Sequence, residues 1–173
     1  GLTWCGGWAG VVSRFAQCGV GRLEAVPRVF DLPVVGCGHA MRRPGCGRDG
    51  EAGADLVSRT GVVLAAGGGR GLVPTGLAVA IPLGYAGFVL PRSGLALRHG
   101  VTVMNAPGLV DAGYRGELQV ALLNTDPVED YEVHRGDRIA QLVIMAVEQV
   151  QFAVVDQLPD SDRGEGGFGH SGR

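Results

Sequence analysis

From Ala54 onward, apolar residues come in short runs cut by Gly, Pro, Asn and Asp, the spacing of strands joined by turns. The runs are Gly61 to Leu64, Thr75 to Ile81, Ala86 to Leu90, Val101 to Met104, Leu118 to Leu123, Tyr131 to Val133 and Ile139 to Val150. Polar residues take every second place in Glu117 to Leu123 and again in Glu148 to Val155, which predicts strands with one buried and one wet face. Ile139 to Val147 is almost uninterrupted in its apolar character, so we expect a strand covered on both faces, hence a subunit interface. One helix is expected, a turn or two around Ser93 to His99. The pattern predicts an all-β sandwich or barrel, and no repeat of solenoid period interrupts it.

The two ends read differently. Residues 1 to about 45 mix Gly, Cys, Trp and Arg without a clear period, although Val11-Val12 and Val34-Val35 resemble strand fragments. Two accounts fit a chain that begins with glycine: an upstream stretch read in frame, with Met41 or another codon as the true start, or an extension carrying a first strand near Val26 to Val35. We favour the first and expect poor order under either. Asp160 to Arg173 is polar and glycine-rich around one phenylalanine, a flexible arm by composition. Flexibility alone has no use for that ring, whereas a lid over another ring does. The expected organisation is an N-terminal extension (1–45), a β-domain (46–159) and a C-terminal arm (160–173).

Composition excludes more than it identifies. The 173 residues carry a formal net charge of -2, so no basic field attracts nucleic acid. Without an apolar run of membrane length or a signal-like start, we expect no membrane and a cytoplasmic location. The basic residues are all arginine and 31 residues are glycine, which points to GC-rich coding more than to function. Cys5, Cys18, Cys37 and Cys46 lack the close spacing of zinc or redox pairs and read as reduced and incidental. His39, His99, His134 and His170 are scattered and suggest no metal cluster.

The richest chemistry lies in Gly108-Leu-Val-Asp-Ala-Gly-Tyr-Arg-Gly-Glu117, where Asp111 stands between an apolar pair and a small-residue turn. With strands predicted on both sides, this reads as a tight hairpin holding one carboxylate. The other conspicuous polar residues each have an ordinary reading: Asp55 as a turn or cap, Arg92 as solvated, Gln141 as a strand glutamine bonded to backbone, Tyr114 as a half-buried strand aromatic. Asp137 and Arg138 read as fixing a turn or a subunit contact.

Taken in order, five segments resemble the five motifs of the trimeric dUTPase (deoxyuridine triphosphate nucleotidohydrolase) family. They are Ala54 to Ser58, Pro91-Arg-Ser-Gly94, Asn105 with Gly108 to Glu117, Arg135 to Leu142, and Arg163 to Gly172. The resemblance implies an all-β fold, a β-clip or distorted jelly-roll barrel with one short helix, assembled as a homotrimer with a swapped C-terminal arm. It implies hydrolysis of dUTP to dUMP and diphosphate with Mg2+, lowering dUTP and supplying dUMP for thymidylate synthesis. By the same resemblance Asp111 is the general base, Asn105 and the main chain near Gln119 read uracil's edge, and Leu109 and Val110 frame the base. Tyr114 lies on the deoxyribose. Arg92, Ser93, Gly94 and Gln141 hold phosphates, and Asp55 touches the metal through water. From the arm, Arg163 meets the γ-phosphate, Phe168 stacks on uracil, and Gly169 and Ser171 form a phosphate nest.

The departure lies before Ala54, where the family's first strand has no clear counterpart, which puts folding and trimer stability in question. A dCTP deaminase on the same fold needs a glutamate base where Asp111 stands. A non-catalytic nucleotide-binding module is the remaining alternative.

Overall fold

Alternating burial along each run is what closes the sheets. The computed structural model describes residues 31–37, 51–162 and 164–165. Of the two compact units of the chain, residues 32–173 carry all the elements described below. The strands are β1 (Val34–Gly36), β2 (Ala54–Val57), β3 (Val62–Leu64), β4 (Arg70–Pro74), β5 (Leu77–Val79), β6 (Tyr85–Leu90), β7 (Val101–Val103), β8 (Gly108–Val110), β9 (Gln119–Asn124), β10 (Tyr131–Val133) and β11 (Arg138–Ala146). Helix α1 spans Ser93–His99.

Every pairing is antiparallel. The sheets run β2-β11-β6-β8, β4-β9-β7, β10-β3 and β1-β5. On β9, Val120, Leu122 and Asn124 are buried while the residues between them are not, and Leu56, Leu64, Val73, Val101, Val133 and Ile139 join them in one core. Asn124 is fully buried yet satisfied: its Nδ2 donates to the carbonyls of Leu64 (3.0 Å) and Glu129 (2.9 Å), and its Oδ1 accepts from the Asp126 N–H (3.0 Å). Gly87 is glycine because a Cβ there would sit 2.9 Å from Ile81 and 3.1 Å from Leu142.

The all-β expectation and the helix at Ser93 to His99 hold. The helix follows Pro91, is basic in its last turn, and ends at Gly100 with φ 63°, a left-handed stop. Several details differ from the sequence reading. Asp55 lies inside β2 rather than at a turn or cap. β4, which follows the run Gly67 to Gly69 and closes on Pro74, is absent from the predicted runs. β11 stops at Ala146, so the alternating residues Gln149 to Val155 have no sheet partner among the described residues. A first strand is present at Val34–Gly36, paired with β5. The stretch around Asp111 is wider than a tight hairpin: β7 and β9 pair with each other, but between them β8 leaves to join the edge of β6 in another sheet.

Among the described residues, no helix is long and apolar enough to cross a membrane.

Candidate active site

Across the four-stranded sheet, register aligns Asp55 (β2), Gln141 (β11) and Leu90 (β6) in one row. At that end of the sheet the chain leaves β6 through Pro91, and the first turn of α1 follows. Together they line a cleft of about 850 Å³ that includes Asp55, Arg92, Ser93, Gly94, Arg98, Arg138 and Gln141. Three arginines face two carboxylates, Asp55 and Glu51, so the lining carries an excess of one positive charge. Such a cleft suits a polyanion.

The side chains are held by one another. Arg92 Nε donates to Asp55 Oδ1 at 3.0 Å, and Arg138 donates to Asp55 Oδ2 at 3.2 Å. Arg92 also donates to the Arg138 carbonyl at 3.3 Å. Gln141 donates through Nε2 to the Pro91 carbonyl at 3.0 Å, tying the loop before α1 to the sheet, and its amide retains a second N–H. Gly53 makes room for it, since a Cβ there would fall 2.8 Å from Gln141 Oε1. At the far end of α1, the His99 ring leans on Tyr131 with centroids 5.1 Å apart. Burial pushes the Tyr131 hydroxyl pKa up, the charge of Asp137 adds to this, and Arg92 acts weakly against both.

The sequence pattern gives Arg138 a turn or subunit role, whereas the structure places it in the cleft. In an unbroken strand, residues 138 and 141 point to opposite faces. A bulge between Arg138 and Ala140 shifts the register, buries Ile139 and Ala140 together, and turns Arg138 and Gln141 to the same side. No sequence signal marks that bulge.

The second group of expected residues lies elsewhere. Asn105 is exposed before β8, with its amide packed over Gly108, where a Cβ would come within 3.3 Å of Asn105 Nδ2. Leu109 is 61 % exposed on the edge strand, and Val110 is half-buried. Asp111 is exposed at the following turn, which the Tyr114 N–H closes by donating to the Asp111 carbonyl at 3.0 Å. Its carboxylate meets no donor among the described residues. The Tyr114 hydroxyl donates to the Glu117 carbonyl at 2.9 Å, and Gln119 is exposed at the start of β9.

These two groups do not meet within one chain. Three strand spacings of about 4.8 Å and four residue rises of about 3.4 Å put the backbone at Asp55 and at Asp111 about 20 Å apart. A base must reach its proton directly or through one water, so a single chain cannot place Asp111 on a phosphate gripped by Arg92. Arg163, Phe168, Gly169 and Ser171 lie outside the described residues. So do Cys5, Cys18, Cys46, His39 and His170; Cys37, which is described, is a free thiol.

A family model described as dUTPase matches residues 41–172. The chain belongs to the dUTPase family. It is 63 % identical over 123 residues to the deoxyuridine 5'-triphosphate nucleotidohydrolase of Thermobifida fusca, covering 71 % of this chain and 68 % of that protein. The dUTPase of Staphylococcus bacteriophage 80alpha, solved with dUPNHPP, superposes with TM-score 0.77 at 28 % identity, over 84 % of this chain and all of that one. A mutant dUTPase from phage phi11 of S. aureus, described as coordinating a structural Mg(II) ion, matches with TM-score 0.69 at 25 % identity, over 74 % of this chain and 98 % of that one.

Among the described residues no group of three or more His, Cys, Asp or Glu is arranged to hold a metal ion. The cleft offers Asp55 with an exposed Glu51 at its mouth. A donor set this sparse fits a hydrated magnesium that arrives with phosphates rather than one caged by protein.

Proposed function

We propose that the chain hydrolyses dUTP to dUMP and diphosphate, in sites completed only where copies of the chain meet. The observation that carries this reading is the division of one family's functional residues into two halves about 20 Å apart. One half is an arginine-lined cleft and the other an exposed hairpin whose carboxylate has no partner among the described residues. A homotrimer would bring the hairpin of one subunit against the cleft of the next. The apolar residues beyond β11 support such an assembly: Val150, Phe152 and Val154 are 70 %, 92 % and 101 % exposed, and they alternate as a strand does. We take this segment to lie on a neighbouring subunit and to deliver residues 160–173 to its site.

In this reading Arg92, Ser93 and Gly94 receive the triphosphate at the start of α1, and Gln141 offers its second N–H. The triphosphate competes with Asp55 for Arg92 and Arg138, which frees the Asp55 carboxylate for the waters of magnesium. Magnesium, when bound, offsets the charge that builds on the phosphate oxygens. Asn105 and the main chain near Gln119 pair with uracil, Leu109 and Val110 border the ring, and Tyr114 covers the deoxyribose. A base whose donors and acceptors are reversed is rejected because buried polar groups would be left unpaired. Asp111 takes the proton of a water as its oxygen bonds to the α-phosphorus. The bond from that phosphorus to the bridging oxygen of diphosphate breaks. Arg163, Phe168, Gly169 and Ser171 close the site from the arm. The enzyme would work in the cytoplasm on free nucleotide.

Diphosphate release should be measured for dUTP, dCTP, dTTP and UTP with magnesium, alongside the mass by light scattering. We expect turnover of dUTP alone and a trimer. Ammonia from dCTP, or binding of dUTP without turnover, would overturn the reading.

A further inference from the structure

We propose that Glu117, held by Arg59, is a positioning residue that sets the ring of Tyr114 and so the discrimination between deoxyribose and ribose. This rests on the reading above, in which Tyr114 faces the sugar. The residues between β8 and β9 belong to no sheet, and Tyr114, Arg115 and Gly116 are all exposed. Glu117 turns inward after them, with its side chain 16 % exposed. Its Oε1 accepts from the buried Gly76 N–H at 2.6 Å and from Arg59 Nε at 2.9 Å. Both contacts are charge-assisted, the strong kind.

Arg59 is itself anchored. Its backbone N–H donates to the Pro74 carbonyl at 3.0 Å, and its guanidinium donates to the Cys37 carbonyl, just past β1, at 3.3 Å. One residue on, Leu118 is fixed by the same turn: its carbonyl accepts from the Thr75 hydroxyl at 2.7 Å, and its N–H donates to Leu77 at 2.7 Å. The end of the hairpin is therefore clamped to residues 74–77.

The clamp governs the tyrosine through two contacts. The Tyr114 hydroxyl donates to the Glu117 carbonyl, and the ring lies on the Gly116 Cα, where a Cβ would fall 2.5 Å from the hydroxyl and 2.7 Å from Cζ. A ring on an exposed loop has several rotamers open to it. This one is oriented by a carbonyl held from two sides, by the Glu117 carboxylate on Gly76 and Arg59 and by the Leu118 N–H of the same peptide unit on Leu77. Excluding a 2′-hydroxyl requires the ring to hold its place closely, because a small displacement opens room for one more oxygen.

The test is the ratio of kcat/KM for dUTP to that for UTP, measured with Tyr114→Ala, Tyr114→Phe, Glu117→Ala, Glu117→Gln and Arg59→Met. Glu117→Ala should lower the ratio about tenfold. Glu117→Gln keeps an acceptor for Gly76 and should restore most of it. Glu117→Ala and Tyr114→Phe combined should lose little more than either alone, because they cut one chain of contacts. If Glu117→Ala does not fold, Arg59→Met decides, since it unseats the carboxylate from the surface; a folded protein with the wild-type ratio overturns the proposal. A ratio that falls in Tyr114→Ala but not in Glu117→Ala also overturns it. A ratio unchanged in Tyr114→Ala, or wild-type protein inert toward dUTP, instead refutes the reading on which the proposal stands.

Discussion

At the scale of single residues, the consequential contrast is between the two aspartates. Asp55 has both oxygens engaged by guanidinium groups, so it is oriented and its charge is balanced. Asp111 is exposed with its carboxylate unengaged among the described residues, as a base awaiting a water must be. Replacing Asp111 by Asn keeps the shape and removes the basic lone pair. Turnover should fall by about 10² to 10⁴-fold while dUTP affinity stays within a few-fold, read from single-turnover rates and equilibrium binding. An equal loss in both would make Asp111 a ligand. The sequence alone singled out Asp111, because its neighbours fix its meaning. It did not single out Arg138 or Glu117, whose roles depend on partners 83 and 41 residues away.

At the scale of elements, the turn after β9 ties the core strands to the loops. Asn124 satisfies two carbonyls and one N–H from inside the core. Asn124→Ala should cost about 3 kcal/mol or more in urea unfolding, since buried groups left without partners carry their desolvation penalty; a loss below 1 kcal/mol, about the mean for point mutants, would show that water replaces them. Next to it, the Asp126 carboxylate accepts from the N–H groups of Val128 and Glu129 at 2.9 Å each. These bonds, the Glu129 one foremost, hold its pKa below the ordinary value of 3.8. A lowered pKa stabilises the fold above the unfolded value, and that contribution is lost as pH falls through the lowered one. Asp126→Asn should therefore lose stability at neutral pH and show a flatter acid limb between neutral pH and strongly acid solution, measured by thermal unfolding across that range. Most strands were legible from apolar runs and alternation, although β4 was not and the alternation of Gln149 to Val155 has no sheet partner among the described residues. The β11 bulge and the departure of β8 to another sheet were not legible, because neither changes the polar pattern that local reading uses.

At the scale of the whole molecule, the exposed apolar residues beyond β11 and the separated halves of the site argue for the same assembly. Phe152→Asp puts a charge where the proposed neighbour's surface should be, and light scattering should then report dissociation with loss of turnover. A trimer of wild-type mass would move the contact elsewhere. Removing residues 163–173 should leave the assembly intact and lower kcat/KM by at least tenfold through the lost phosphate and base contacts. Unchanged kcat/KM would remove the arm from the mechanism.

The sequence by itself determined the family, the all-β class and the helix after Pro91, and it marked out the aspartate that we propose as the base, because these depend on short motifs and on alternation that neighbouring residues carry. Only the tertiary structure decided which of those residues share a cleft. Parity along a strand is reset by one bulged residue, and distance across a sheet is set by strand order. A linear pattern records neither, so the cleft side of Arg138 and the gap between Asp55 and Asp111 became visible only once the strands were paired.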